Sequence, residues 1–254
     1  MTKMLFSYFI GLDLGQSQDY TALCVIEEPV WSGRRWESPA SMSPDTVRYF
    51  LNKYFDEGRP PNPQLAVRHL ERFALGTPYT KIVERVDRLL DTPPLVGKRC
   101  VLLVDKTGVG AGVLDIFIQS GIRPNAITIH GGAEITLDQQ HPGFKVPKRD
   151  LVGAVQVLLQ NRRLKIAKEL PEAETLKKEL LNFRMKIDPN TAHDSYSHWR
   201  EGDHDDLVLA TAMAAWFREW WNAKLEVSYS KRERSRRQTA TRLNRSSSIV
   251  RRRP

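Results

Sequence analysis

Phe9-Ile10-Gly11-Leu12-Asp13-Leu14-Gly15 lies in an apolar run that begins at Leu5, and Tyr20 to Ile26 follows with β-branched and aromatic residues. The pattern predicts a buried strand, a turn over Gln16-Ser17-Gln18-Asp19, and a second strand. Asp19 fits an Asx-type turn between them, with at most a remote role in any site. Asp13 breaks the pattern. A carboxylate in a buried strand costs several kcal/mol when it has no partner, so something cationic should meet it.

The chain of 254 residues is long enough for a substantial core, with 41% hydrophobic and 27% charged residues. Cys24 and Cys100 sit in separate strand-like runs and make no disulfide framework. That predicts a reducing cytoplasm. No apolar run approaches the ~18 residues of a membrane span, and Asp13 falls where a signal peptide would stay apolar. Residues 224–254 hold eleven Lys or Arg and two Glu, so the whole net charge of +9 sits there and residues 1–223 balance to zero. The expected organisation is a domain over 1–223 and a disordered basic tail over 224–254. Such a tail can bind phosphates non-specifically or simply stay solvated.

From Pro29 to Met42 a loop or irregular hairpin is expected. Ser43-Pro44-Asp45 reads as the start of a helix to about Glu57, which looks like an insertion between the second and third strands. Gln64 to Phe73 reads as a third strand, and Thr77-Pro78 opens a helix that Pro93-Pro94 ends. Cys100 to Val104 is the second purely apolar run, closing on Asp105-Lys106-Thr107-Gly108. A helix with Val113, Leu114, Phe117 and Ile118 follows, stopped at Gly121. Ala126 to His130 is a fifth strand, and Gly131 to Lys148 an extended hairpin or loop. Helices are expected over Arg149–Arg162, from Pro171 to about Met185, and from about His204 to Ala223, with a short extended piece at Leu164–Ala167. Early strands on short turns followed by crossovers imply an α/β protein, with a mixed sheet flanked by helices on both faces.

Asp105 repeats the oddity of Asp13, an acid at the carboxyl end of a buried strand, where ligands of open α/β sheets collect. Capping of the next helix by Asp105 or Thr107 is the bland alternative. Asp205 and Asp206 stand before an apolar helix face, where one acid would satisfy the dipole and a pair repels. Ala210, Ala212, Ala214 and Ala215 would let that helix pack closely on the sheet and bring the doublet toward Asp13. Such acids suit hard divalent ions, Mg²⁺ or Mn²⁺, and two ions can share the work of phosphodiester hydrolysis. Zinc fits poorly, since the six histidines and two cysteines do not cluster.

The runs GLDLGQSQDYTAL, VLLVDKTGVGAGVLDIF, VPKRDLVGAVQVLL, LKKELLNF and HDDLVLATAMA, in this order between about Phe9 and Phe217, resemble the nuclease domain of the viral (phage) large terminase family. The resemblance implies an RNase H-like fold with a RuvC-like acidic site that cuts double-stranded DNA using Mg²⁺ or Mn²⁺. It makes Asp13 the first-strand ligand, Asp105 the fourth-strand ligand, and Asp205 or Asp206 the last, with Asp206 favoured as the closer ligand and Asp205 assisting. A packaging motor also carries an ATPase, and no G-x-x-x-x-G-K-[ST] loop occurs here. The expectation is a nuclease without its own motor, whose partners would be a separate packaging ATPase, a small terminase subunit or a portal, in the host cytoplasm if the chain is viral.

Four residues are candidate assistants. Glu71 could supply a further acid, although a surface pair with Arg72 or Arg68 is favoured. His204 could orient a water or contact phosphate, or merely precede its helix. Lys148 and Arg149 could neutralise phosphate beside the metals, or be ordinary surface charge. Trp216, Trp220 and Trp221 suit packing better than base stacking, and Glu179 reads as surface. The rival functions are a Holliday-junction-resolvase-like nuclease, a non-catalytic DNA-binding packaging module acting through the tail, and a sugar- or acetate-kinase relative, for which no second phosphate turn is identifiable.

Overall fold

The computed structural model describes residues 3–15, 19–32, 63–108, 111–183, 186–187, 194–195 and 204–220. The helix expected at Ser43–Glu57, Trp221 and the basic tail lie outside the described residues.

Eight strands form one mixed sheet in the order β6-β7-β5-β4-β1-β2-β3-β8. In chain order these are β1 (Lys3–Asp13), β2 (Ala22–Ser32), β3 (Leu65–Arg72), β4 (Arg99–Asp105), β5 (Asn125–His130), β6 (Thr136–Leu137), β7 (Gly143–Pro147) and β8 (Leu164–Ile166). β1 pairs antiparallel with β2 and β2 antiparallel with β3, while β4 lies parallel to β1 and β5 parallel to β4. β6 and β7 are the hairpin expected after His130. A two-stranded ladder, β9 (Lys186–Ile187) and β10 (Asp194–Ser195), stands apart from the sheet. This is an α/β architecture, a mixed sheet flanked by helices, as expected.

The helices are α1 (Tyr79–Leu90), α2 (Ala111–Gln119), α3 (Lys148–Gln160), α4 (Ala173–Asn182) and α5 over residues 206–220. Strand alternation sorts them between the faces. Tyr8, Ile10 and Leu12 of β1, with Leu102 and Val104 of β4, pack against Ile82, Val83 and Val86 of α1 and Val113, Leu114 and Phe117 of α2. Phe9 of β1, with Val101 and Leu103 of β4, packs on the other side against α3, α4 and α5. Asp13 and Asp105 continue this second set, two residues beyond Gly11 and Leu103. Both therefore face α5.

The second strand differs from its expected end. β2 continues past Ile26 to Ser32, pairing Pro29 with Phe6 and Ser32 with Lys3. β3 accompanies β2 only as far as Glu27, so Pro29 costs no ladder bond on that side. The charges that seem to end the strand are buried and partnered. Glu27 accepts from Tyr8 Oη at 3.0 Å and from Arg68 Nη2 at 2.6 Å. Glu28 accepts from Arg218 Nη2 at 2.6 Å, with both residues almost wholly buried.

Trp216 and Trp220 stack at 5.7 Å and meet Phe144 of β7, which is the packing role expected of them. Cys24 and Cys100 are free thiols. Among the described residues no helix is long and apolar enough to cross a membrane.

Candidate active site

β1 and β4 run parallel with Leu12 opposite Val104, so Asp13 and Asp105 come next, side by side at the carboxyl ends. Asp13 also pairs with Ala22 of β2, and Ala22 with Arg72 of β3. Asp105, Asp13, Ala22 and Arg72 thus form one cross-strand row. α5 lies over this row because Gly11 lets it. A Cβ on Gly11 would stand 1.9 Å from the carbonyl oxygen of Ala210. One helical turn before Ala210 is Asp206, and the close crossing carries it to the strand ends.

Asp13, Asp105 and Asp206 are each at most 7% exposed. Burial first, then the charges of Asp105, Asp206 and Asp205, push the Asp13 carboxyl well above its ordinary range, and Lys148 opposes them. Burial likewise raises Asp105 to about 6, against hydrogen bonds from Thr107, one with Asp13 and the charge of Lys148. Asp206 is raised by burial, with Arg72 and His204 pulling it back. The four acids expected from the sequence are therefore gathered within one another's fields. Lys148, whose Nζ lies 2.8 Å from Asp205 Oδ2, is a cation whose charge acts on Asp13. Asp105 Oδ1 accepts from the Thr107 amide at 2.7 Å, closing a turn at the strand end.

The assistants separate. Lys148, at the first position of α3, is part of the cluster. His204 is too, with Nδ1 3.7 Å from Asp206 Oδ2 and its ring edge-on to Tyr20. Arg149 points elsewhere, to the carbonyl of Ala133 at 3.1 Å and toward Asp150. Glu71 falls on the opposite face of the sheet, one residue out of phase with Arg72, and binds Arg85 of α1 and His69. It does not join the acids, nor does it pair with Arg68 or Arg72 as expected. Asp19 is exposed, and Gly15 N–H donates instead to Thr21 Oγ1 at 3.1 Å across the turn.

Two residues of the cluster are not apparent from the sequence reading. Arg72 Nη2 lies 2.8 Å from Glu179 Oε1 and 3.2 Å from Asp206 Oδ2, with its guanidinium 4.3 Å over the Tyr20 ring. Glu179 is not at the surface. It is 7% exposed, and burial raises its carboxyl to about 7. Its spacing gives the missing signal, since Ala173, Leu176 and Glu179 fall three apart along the buried stripe of α4.

The donor set fits a hard divalent cation. It is made of carboxylate oxygens, and each added negative charge raises the cost of the others until a cation offsets it. Among the described residues no group of three or more His, Cys, Asp or Glu side chains is set at coordinating distances. Asp205 and Asp206 turn instead to Lys148 and Arg72, and would exchange these partners to close around an ion.

Lys148→Met should expose the repulsion that Lys148 offsets. The metal-free protein is expected to lose about 1 kcal/mol at pH 8, a fall of roughly 2–4 °C in Tm. At pH 5 the raised carboxyls hold protons and the loss should shrink. Thermal unfolding in EDTA at the two pH values checks this, and an equal loss at both would contradict it.

The mixed sheet thus carries a cluster of acids at the carboxyl ends of its central strands. The solved structures similar to this chain include the following three. One is the large terminase nuclease of thermophilic phage G20c, 19% identical over 82% of this chain and 81% of that one, with a TM-score of 0.49. A second is the human cytomegalovirus terminase nuclease domain, Mn-soaked and inhibitor-bound, 14% identical over 84% and 83%, TM-score 0.48. A third is the bacteriophage SPP1 large terminase nuclease domain with bound Mn, 11% identical over 82% and 84%, TM-score 0.44. No family model and no curated protein matches the chain.

Proposed function

We propose that this chain is a divalent-metal-dependent endonuclease that cleaves double-stranded DNA, of the viral packaging type. The observation that carries the reading is the convergence of Asp13, Asp105 and Asp206, with Asp205, on one face of the sheet under α5. A fold needing only stability would not bury mutually repelling acids at its strand ends. Asp13, Asp105 and Asp206 would hold Mg²⁺ or Mn²⁺, with Asp205 assisting. Asp206 is buried under the helix start while Asp205 is only half-buried, which supports Asp206 as the closer ligand. A pair of such ions supplies activation of the attacking water and neutralisation of charge on the departing 3′ oxygen.

The chain's own side chains do the rest. Asp13 and Asp105 stand at adjacent, paired strand ends, which would hold their ligating oxygens in fixed positions. Lys148, 18% exposed beside Asp205, is placed to exchange that carboxylate for a phosphate oxygen. Hydrolysis would leave 5′-phosphate and 3′-hydroxyl ends. The substrate assignment rests on the run of motifs shared with terminase nucleases, as do the expected packaging ATPase, small subunit or portal partners.

Supercoiled plasmid tests the reading. With Mn²⁺ or Mg²⁺ it should be nicked and linearised, and EDTA should stop the reaction. Cutting that persists in EDTA, or no cutting with either ion, would overturn the assignment. Preference for a four-way junction over linear duplex in direct competition would move it to the resolvases.

A further inference from the structure

α5 begins with a helical bond from Leu209 N–H to the carbonyl of Asp205, so Asp206, Leu207 and Val208 are its first three residues. Their amides have no partner within the helix. The Val208 amide donates at 3.1 Å to Glu179 Oε2, a carboxylate supplied by another helix. The second oxygen of Glu179 takes Arg72 Nη2, and the same nitrogen reaches Asp206 Oδ2. α4, β3 and α5 thus meet in one chain of contacts: Val208 N–H to Glu179, Glu179 to Arg72, Arg72 to Asp206. Glu179 and Asp206 are both buried, and Arg72 side-chain exposure is 17%.

We propose that Glu179 is a positioning residue for Asp206, holding the first turn of α5 by the Val208 amide and sharing Arg72 so that Asp206 can give up that partner to a cation. This deepens the proposed function and rests on it. The reasoning is electrostatic. Arg72 lies between two carboxylates, and Glu179 makes the shorter contact. With Glu179 neutralised, the guanidinium would turn wholly to Asp206, an ion pair that any metal would have to break. Partners behind a ligand commonly set metal affinity by 10–100-fold. Glu179 contacts Arg72 and the Val208 amide, so its effect would travel through Arg72 and the helix start.

The test is Mn²⁺ binding by the full chain, followed by electron paramagnetic resonance of the free ion, beside thermal unfolding in EDTA. Wild type should bind Mn²⁺ and Asp13→Asn should not. Glu179→Gln keeps an oxygen for the Val208 amide and should stay folded, with its Mn²⁺ dissociation constant raised roughly 10-fold. Glu179→Asp keeps the charge, serves if the Gln variant does not fold, and should shift the constant the same way by a smaller factor. A purely structural role would lower Tm and leave the constant alone. Folded variants that bind Mn²⁺ within twofold of wild type overturn the proposal while the proposed function stands. Wild type that binds no Mn²⁺ through Asp13 overturns both.

Discussion

Asp13→Asn and Asp105→Asn are each expected to abolish plasmid cutting, by about 10³-fold or more, and yet to unfold at a higher temperature than wild type in EDTA. The gain follows from the sign of the carboxyl shifts. Burial and neighbouring acids raise Asp13, and burial raises Asp105 to about 6. A carboxyl raised in the folded state binds protons more tightly folded than unfolded. Stability is then greatest below the ordinary Asp range and falls as pH rises through about 6, leaving its full cost at pH 8. For Asp105 that cost is on the order of 2 kcal/mol. Asparagine keeps the shape and removes the charge, so either variant should gain roughly 4–8 °C in Tm at pH 8 and little at pH 5. Added Mn²⁺ should raise the Tm of wild type and leave that of Asp13→Asn nearly unmoved. Thermal scans at both pH values, with and without Mn²⁺, check all of this. A variant that melts below wild type at pH 8 would mean that these acids are structural and that the site reading is wrong.

What could be read from the sequence follows from how local each signal is. Asp13 and Asp105 stand out because each interrupts a run of strand residues whose burial is evident from neighbours on either side. The Asp205-Asp206 doublet stands out because adjacent acids exceed what a helix start needs. The mixed sheet is legible for a similar reason, since the two fully apolar runs become β1 and β4 at its centre. Glu28 misleads because its partner, Arg218, is 190 residues away in the chain, and a charge with a distant partner looks like the end of a strand. Glu179 misleads in the same way, among lysines in sequence but against Arg72 and Val208 in space. Glu71 shows the converse. It is an acid on the right strand, and a shift of one residue puts it on the wrong face. The expected helix at Ser43–Glu57 and the tail over 224–254 fall outside the described residues and remain as read.

The second large effect is expected at Gly11, within the stretch that carries Asp13. The sequence suggests close packing from the alanines of α5, but alanines on a helix do not say what they approach. The structure supplies the other half. Gly11→Ala would put a methyl group 1.9 Å from the Ala210 carbonyl oxygen and 2.9 Å from its carbon. Both are backbone atoms, so no side chain can swing aside. The helix must retreat by about 1 Å or more to regain van der Waals distance, against Phe9, Leu207 and Met213 in the same core. Overpacking of this kind costs about 3 kcal/mol. Asp206 rides one turn from the contact and would move off Asp13 with the helix. Displacement of about 1 Å in a catalytic constellation costs on the order of 10²-fold in rate. Gly11→Ala should therefore lower both the denaturant midpoint and the cutting rate. Ala210→Gly should not rescue it, because the clash is with the carbonyl and not the methyl. Gly153→Ala in α3 is the control. Its added Cβ meets nothing within 4 Å, and the change should stabilise the helix by up to about 1 kcal/mol. If Gly11→Ala matches wild type in urea and in rate, α5 does not press on β1 as described, and Asp206 is not brought to Asp13 by this route.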